Sequence, residues 1–253
     1  MTEAQTAHTQ TIPAKERLII ALDVSTRADA QHIVAETAAF AGAFKVGLQL
    51  FSSVGPEIVR ELCEAGHRIF LDLKFHDIPN TVSKAAVEST RLGVWMFNVH
   101  AAGGNEMMRQ TVSEVEDLCE KSGLTRPKMI AVTVLTSSED DILREIGIEA
   151  PAGDHALDLA KLASAAGMDG VVASAKEAAQ VRDSCGSQFL IVTPGVRPPG
   201  ASNNDQRRVT TPAEAIRAGS DYLVVGRPIT AAENMSRAAE SIFNEIESVV
   251  NES

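Results

Sequence analysis

Aromatic residues are scarce in this chain, at 4% of 253 positions. Any core must therefore be filled by Val, Ile, Leu and Ala, as parallel strands buried on both faces prefer. Cysteine is scarcer still. Cys63, Cys119 and Cys185 are scattered and form no CxxC pair. That pattern speaks against a disulfide framework and for free thiols in a reducing compartment. Long apolar runs are missing, so no segment is expected to span a bilayer as a helix. Residues 1–10 are polar and lack the apolar core of a signal peptide. A cytoplasmic protein is the expectation. Positive charge is in deficit as well: the formal net charge is -11. Such a chain repels nucleic acid and anionic membranes, so neither is an expected partner. A phosphorylated small molecule stays open, because local charge at a site can oppose the global sign. The six histidines are dispersed, and neither a metal site nor a cofactor is expected. A glycine-rich nucleotide fingerprint, an HExxH helix and a nucleophile elbow are all missing.

What is present is a rhythm. Short apolar runs occupy residues 18–22, 43–46, 69–73, 95–99, 129–135, 170–173, 190–193 and 222–225. Each is bounded by Gly, Pro or polar residues, as strands are. Amphipathic stretches lie between them. One begins near Ser25-Thr26 and carries Ala30, Ile33, Val34, Thr37 and Ala38. Others are predicted at 56–65 and 82–92, and a long one at 231–250 with Ile242, Ile246 and Val249 on one stripe. Eight strand–helix units in a chain of this length point to a single-domain (β/α)8 barrel. Residues 17–253 would form it, behind a polar tail or capping turn at 1–16. A doubly wound open sheet is the alternative.

In such a barrel the chemistry sits at the C-terminal ends of the strands. There the sequence reads Asp23, Lys45, Asp72 with Lys74, His100, Thr136, Ser174, then Arg197, and Gly226-Arg227. The densest cluster is Asp72-x-Lys74-x-x-Asp77. Residues two apart on a strand point to one side, so Asp72 and Lys74 should both face the barrel interior, with Asp77 on the following loop. A lysine between carboxylates stays protonated and becomes a proton donor. Neighbouring strands lie about 5 Å apart, so Asp23, Lys45, Asp72 and Lys74 should alternate in one charge network. A rim of structural ion pairs is the competing reading. Buried pairs are weak sources of stability, however, which favours function.

A second constellation follows strands seven and eight, where barrel phosphate sites are commonly built. Gly226 would admit backbone N–H groups and Arg227 would clamp an anion with its fork of donors. Arg197 begins a long loop, to about Val209, placed as a lid. Thr136 would offer a hydroxyl to a base or ribose. His76, His100 and Ser174 are weaker candidates, with local structural roles as the alternative.

The run Phe70-Leu71-Asp72-Leu73-Lys74-Phe75-His76-Asp77-Ile78-Pro79-Asn80-Thr81 resembles the signature of the bacterial orotidine 5'-phosphate decarboxylase family. Further blocks follow in order: Ala21-Leu22-Asp23, Phe44-Lys45-Val46-Gly47, Asn98-Val99-His100-Ala101 and Val132-Thr133-Val134-Leu135-Thr136-Ser137. The later ones are Val192-Thr193-Pro194-Gly195-Val196-Arg197-Pro198, Asp205-Gln206-Arg207-Arg208 and Val225-Gly226-Arg227-Pro228-Ile229. The resemblance implies a cofactor-free decarboxylase that converts orotidine 5'-phosphate to UMP, folded as a (β/α)8 barrel and working as a homodimer with shared sites. By that resemblance Lys74 protonates C6, Asp72 and Lys45 hold the charge network, and Asp23 with Lys45 reaches the ribose. Asp77, Ile78 and Thr81 would come from the partner subunit, and Thr136 would lie near the base. Gln206, Arg227 and the Gly226 backbone would hold the phosphate, and Arg197 belongs to the same site. Two rivals share parts of this pattern: a Mg2+-dependent sugar-phosphate enzyme with the same Asp-x-Lys-x-x-Asp, and a non-catalytic phosphoribosyl-ligand binder.

Overall fold

All eight apolar runs become strands: β1 (Leu18–Ala21), β2 (Ala43–Gly47), β3 (Ile69–Phe75), β4 (Met96–His100), β5 (Lys128–Val132), β6 (Gly170–Val172), β7 (Leu190–Pro194) and β8 (Tyr222–Val225). In the computed structural model, which describes residues 12–198 and 210–252, every strand pairs in parallel with its sequence neighbour. β8 then pairs with β1 and closes the barrel. The open-sheet alternative is thereby excluded. No helix among the described residues is long and apolar enough to cross a membrane.

Alternation along the strands sorts the core. Ile19, Ala43, Phe70, Met96, Ile130 and Tyr222 pack together inside the barrel. Leu18, Phe44, Leu71, Phe97 and Leu223 face outward onto the helices. Counting two residues onward from Ala43, Phe70 and Met96 reaches Lys45, Asp72 and Asn98. The apolar filling of the barrel therefore gives way to a polar layer at its C-terminal end.

Three boundaries differ from the sequence expectation by three residues or more. β5 ends at Val132, not Leu135, so Thr133 to Thr136 belong to the loop. There the Thr133 hydroxyl bonds the Val172 carbonyl at 2.9 Å. The helix expected at 82–92 starts earlier, as Pro79–Arg91, because proline at the first helical position gives up an N–H that has no partner anyway. After β8 a short helix, Arg227–Thr230, comes first, and the helix expected at 231–250 starts late, as Met235–Val250. Asn234 caps the second by accepting from the Arg237 amide at 2.8 Å. Its stripe of Ile242, Ile246 and Val249 is buried as expected. At the N-terminal side Ala14–Arg17 forms a short helix, and Glu16 pairs with Arg68 at 2.7 Å.

The opposite, N-terminal end of the barrel is held by its own polar ties. Asp169 receives one Arg126 nitrogen on both carboxylate oxygens, at 2.9 and 2.8 Å, and the Met129 amide at 2.6 Å. Asp221 likewise takes Arg182 at 2.6 Å and the Ile191 amide at 2.8 Å. Each carboxylate thus bonds a backbone amide at the start of a strand. Asp169→Ala is expected to lose about 2–3 kcal/mol, the worth of charge-assisted bonds plus a stranded amide. At about 2–4 °C per kcal/mol for a chain of this size, thermal unfolding monitored by circular dichroism should drop by about 5–10 °C. Activity at 25 °C should stay within twofold, because chemistry in this fold sits at the other end. A large loss of activity with unchanged melting would contradict that division.

Candidate active site

The predicted alternation of charge is present as a continuous row. Lys45 Nζ lies 2.9 Å from Asp23 Oδ1 and 3.3 Å from Asp72 Oδ2, and Lys74 Nζ lies 2.7 Å from Asp72 Oδ1. Lys45 and Asp72 are buried, at 8% and 9% exposure. Asp23 and Lys74 stand nearer to solvent. Burial works against the charged form of Lys45, but Asp72 and Asp23 outweigh it and raise its pKa above the ordinary lysine value. Burial likewise opposes the Asp72 carboxylate. Lys45 and Lys74, with hydrogen bonds from Lys74 and Asn98, overcome it and hold that carboxyl below its usual range. All the buried charge in this row is compensated, as it must be to persist. Gly47 belongs to the same arrangement, because a side chain there would come within 2.9 Å of Lys45 Nζ and 3.4 Å of Asp23 Oδ1.

Asp72 and Lys74 do face the same cavity, but not through regular strand alternation. The β3–β4 ladder pairs Leu71 with Phe97 and then Phe75 with Val99. Three residues of β3, Asp72 to Lys74, therefore oppose Asn98 alone, a bulge. Lys74 has φ +53°, and among the described residues it is the only non-glycine with positive φ. A left-handed lysine costs about 1–2 kcal/mol and persists only where its surroundings hold it. Here its backbone N–H donates to Asn98 Oδ1 at 2.8 Å. Asn98 is fully buried and was not singled out as a site residue from sequence. The available signal was a strand-averse residue in the middle of a strand.

Two adjoining cavities open above this layer. One, of about 220 Å³, is lined by Asp23, Lys45, Asp72, Lys74, Leu135 and Thr136 among others. The second, of about 370 Å³, is lined by Asp23, Gly195, Arg197, Gly226 and Arg227 among others. Asp23, Gly195 and Val224 belong to both walls. The arrangement is one site with a charged end and an arginine end. Gly195, at φ +79°, lets the chain leave β7 in the left-handed turn that glycine tolerates. A larger cavity, of about 740 Å³, lies at the N-terminal end among Arg17, Arg68, Asp169 and Asp221, away from these groups.

The remaining candidates separate. Asp77, Ile78 and Thr81 are exposed and line neither cavity. The Asp77 carboxylate accepts from the Ile78 amide at 2.6 Å. Among the described residues Lys74 ion-pairs with Asp72 alone, so Asp77 does not flank the lysine of its own chain. Gln206, Arg207 and Arg208 lie outside the described residues. Ser174 is an N-cap, accepting from the Lys176 amide at 3.2 Å, which accounts for it structurally. The His76 and His100 rings lie tilted against each other, centroids 5.4 Å apart, and line neither cavity. Burial, with His76 and Lys74 nearby, pushes His100 below the ordinary histidine range.

A row of fixed ammonium and carboxylate groups, joined to an arginine-lined cavity, suits an anionic ligand whose reaction develops charge at one end. The chain is also similar to known proteins. The chain matches the model of the orotidine 5'-phosphate decarboxylase / HUMPS family over residues 16–242. It is 53% identical over 233 residues to the orotidine 5'-phosphate decarboxylase of Geobacter sulfurreducens, covering 92% of this chain and 97% of that one. It is 50% identical over 241 residues to that of Syntrophotalea carbinolica, covering 95% and 99%. The crystal structure of orotidine 5'-phosphate decarboxylase from Lactobacillus acidophilus matches with a TM-score of 0.80 at 38% identity, covering 90% of this chain and 98% of that one.

Proposed function

Because this chain belongs to the orotidine 5'-phosphate decarboxylase / HUMPS family, we propose that it decarboxylates orotidine 5'-phosphate to UMP, without a metal or organic cofactor. The observation that carries this reading is the row Asp23–Lys45–Asp72–Lys74, closed at 2.9, 3.3 and 2.7 Å along one cavity wall. Loss of CO2 breaks the bond from C6 and leaves its electron pair on that carbon, which the ring carbonyls do not delocalise. Stabilisation must then be electrostatic and preorganised, with a cation at the reacting carbon. Lys74 fills that role and donates its proton to C6, giving UMP and a neutral amine that solvent reprotonates. Asp72 and Lys45 keep the ammonium aimed and compensated, and Asp23 with Lys45 binds the ribose hydroxyls. Thr136 lies beside the base. The phosphate sits at the other end, on Arg227, the Gly226 backbone and Gln206, with Arg197 in support.

The working unit of this proposal is a homodimer in the cytoplasm. Ile78 is 66% exposed at the start of the Pro79–Arg91 helix, and Asp77 and Thr81 flank it outside their own cavity. That exposure suits side chains that complete a neighbour's site. Asp77 would then stand beside the substrate carboxylate of the partner.

The deciding assay follows loss of orotidine 5'-phosphate by ultraviolet absorbance, with CO2 release measured in parallel and with excess EDTA in half the samples. Turnover unchanged by EDTA is the expected result. Abolition by EDTA would favour a Mg2+-dependent sugar-phosphate chemistry on the same motif. UMP binding without CO2 release would leave only a ligand binder.

A further inference from the structure

Asn98 takes no part in the chemistry just described, yet it is fully buried directly beneath it. Its two amide ends have different partners. Oδ1 accepts from the Lys74 backbone N–H at 2.8 Å, and Nδ2 donates to Asp72 Oδ1 at 2.7 Å. The partners fix which end is which, since a backbone N–H only donates and a carboxylate only accepts. Asp72 Oδ1 is also the atom that takes the Lys74 ammonium, at 2.7 Å. A closed ring results: Lys74 backbone, Asn98 amide, Asp72 carboxylate, Lys74 ammonium.

We propose that Asn98 is a positioning residue that aims the Lys74 ammonium, by pinning the left-handed bulge beneath it and the carboxylate beside it. The regular ladder does not serve this stretch, where three residues of β3 face Asn98 alone. Without the amide acceptor the Lys74 N–H would be stranded, and the backbone at φ +53° would relax toward the strand region. Without the amide donor the Asp72 carboxylate would be free to turn toward Lys45, which already approaches its other oxygen at 3.3 Å. Either change moves the ammonium, and a displacement of about 1 Å at a reacting centre costs about 100-fold in rate. Substrate affinity should barely change, because the arginine-lined cavity is built from other strands. Through its assay this inference rests on the decarboxylase reading.

The test uses Asn98→Asp and Asn98→Ala in the full chain. Aspartate keeps the size and the acceptor for the Lys74 amide, but sets a second carboxyl against Asp72 Oδ1. The charged groups facing position 98 are Asp72 and Lys74 from β3, with Lys45 of β2 behind them. Ionised, the new carboxylate repels Asp72. Protonated, its O–H donates to Asp72 as the amide does. Expected for Asn98→Asp is a kcat about 100-fold below the parent at pH 8, with the ratio of variant to parent rising as pH falls toward 6. KM should change less than about threefold. Asn98→Ala should show the loss without the recovery. Rates are taken per folded enzyme, below both melting temperatures, so that lost stability does not pass for lost aim. An Asn98→Asp profile parallel to the parent's, with either variant within threefold of parental kcat, overturns the assignment. A parent that releases no CO2 would overturn the decarboxylase reading itself, whereas an active parent leaves only Asn98 in question.

Discussion

Replacing Lys74 with alanine is expected to lower kcat for orotidine 5'-phosphate by at least about 100,000-fold, or about 7 kcal/mol, in a protein that still folds. Under the proposed mechanism two contributions disappear together. The carbanion at C6 loses the fixed cation beside it, and the product loses its proton source. Water can still deliver a proton, but not before the pair of electrons has formed without stabilisation. The fold should survive for reasons visible in the site. Asp72 keeps Lys45 at 3.3 Å and the Asn98 amide at 2.7 Å, so its charge stays compensated. Alanine also incurs no new backbone cost, because the lysine it replaces already sits at φ +53°. Circular dichroism should give a melting temperature within a few degrees of the parent, while the absorbance assay shows no turnover above background. A folded Lys74→Ala enzyme with kcat within tenfold of the parent would sink the proton-donor role.

The second large effect lies at the other end of the site. Arg227→Ala should lower kcat/KM for orotidine 5'-phosphate by about 100- to 1,000-fold, or about 3–4 kcal/mol, as expected for loss of charge-assisted bonds to a phosphate. For orotidine, which lacks the phosphate, the same substitution should cost less than about threefold. The contrast follows from distance. Arg227 opens the short helix after β8 and lines the 370 Å³ cavity, whereas Lys74 lines the other. Its binding energy reaches C6 only through the substrate, where it orders the reactive end. Equal losses for the nucleotide and the nucleoside would mean that Arg227 supports the barrel and not the phosphate.

Much of this is legible in the sequence alone. Eight apolar runs with a polar residue at each end imply a barrel whose chemistry is at one rim, and Asp23, Lys45, Asp72 and Lys74 do converge there. The inward direction of Asp72 and Lys74 was expected from a period of two. It is achieved by a bulge, which that period does not encode. Asn98 is a strand-averse residue within β4, but the bulge it serves lies on the neighbouring strand, and no local pattern in β4 encodes that. The overrun of β5 had a different cause. Thr133 to Leu135 look like a strand continuation, but the Thr133 amide and hydroxyl both donate to the Val172 carbonyl, at 3.2 and 2.9 Å, and the ladder stops at Val132. Asn234, an exposed residue inside the stretch expected to be helical from 231, instead caps a helix that begins only at Met235. Ile78 and Thr81 stand out only through resemblance, and Asp77 through its spacing from Lys74 as well; in a single chain all three are exposed.

The positive φ at Lys74 bears on how this protein can change over time. The backbone at that position would be more comfortable with glycine, which enters the left-handed region without the 1–2 kcal/mol or so that a side chain costs there. Random substitution followed by selection for stability alone would drift toward that choice and empty the charged end of the site. Keeping lysine there holds the chain short of its most stable sequence. The helices and the tied N-terminal end of the barrel must supply the margin that this one position gives up.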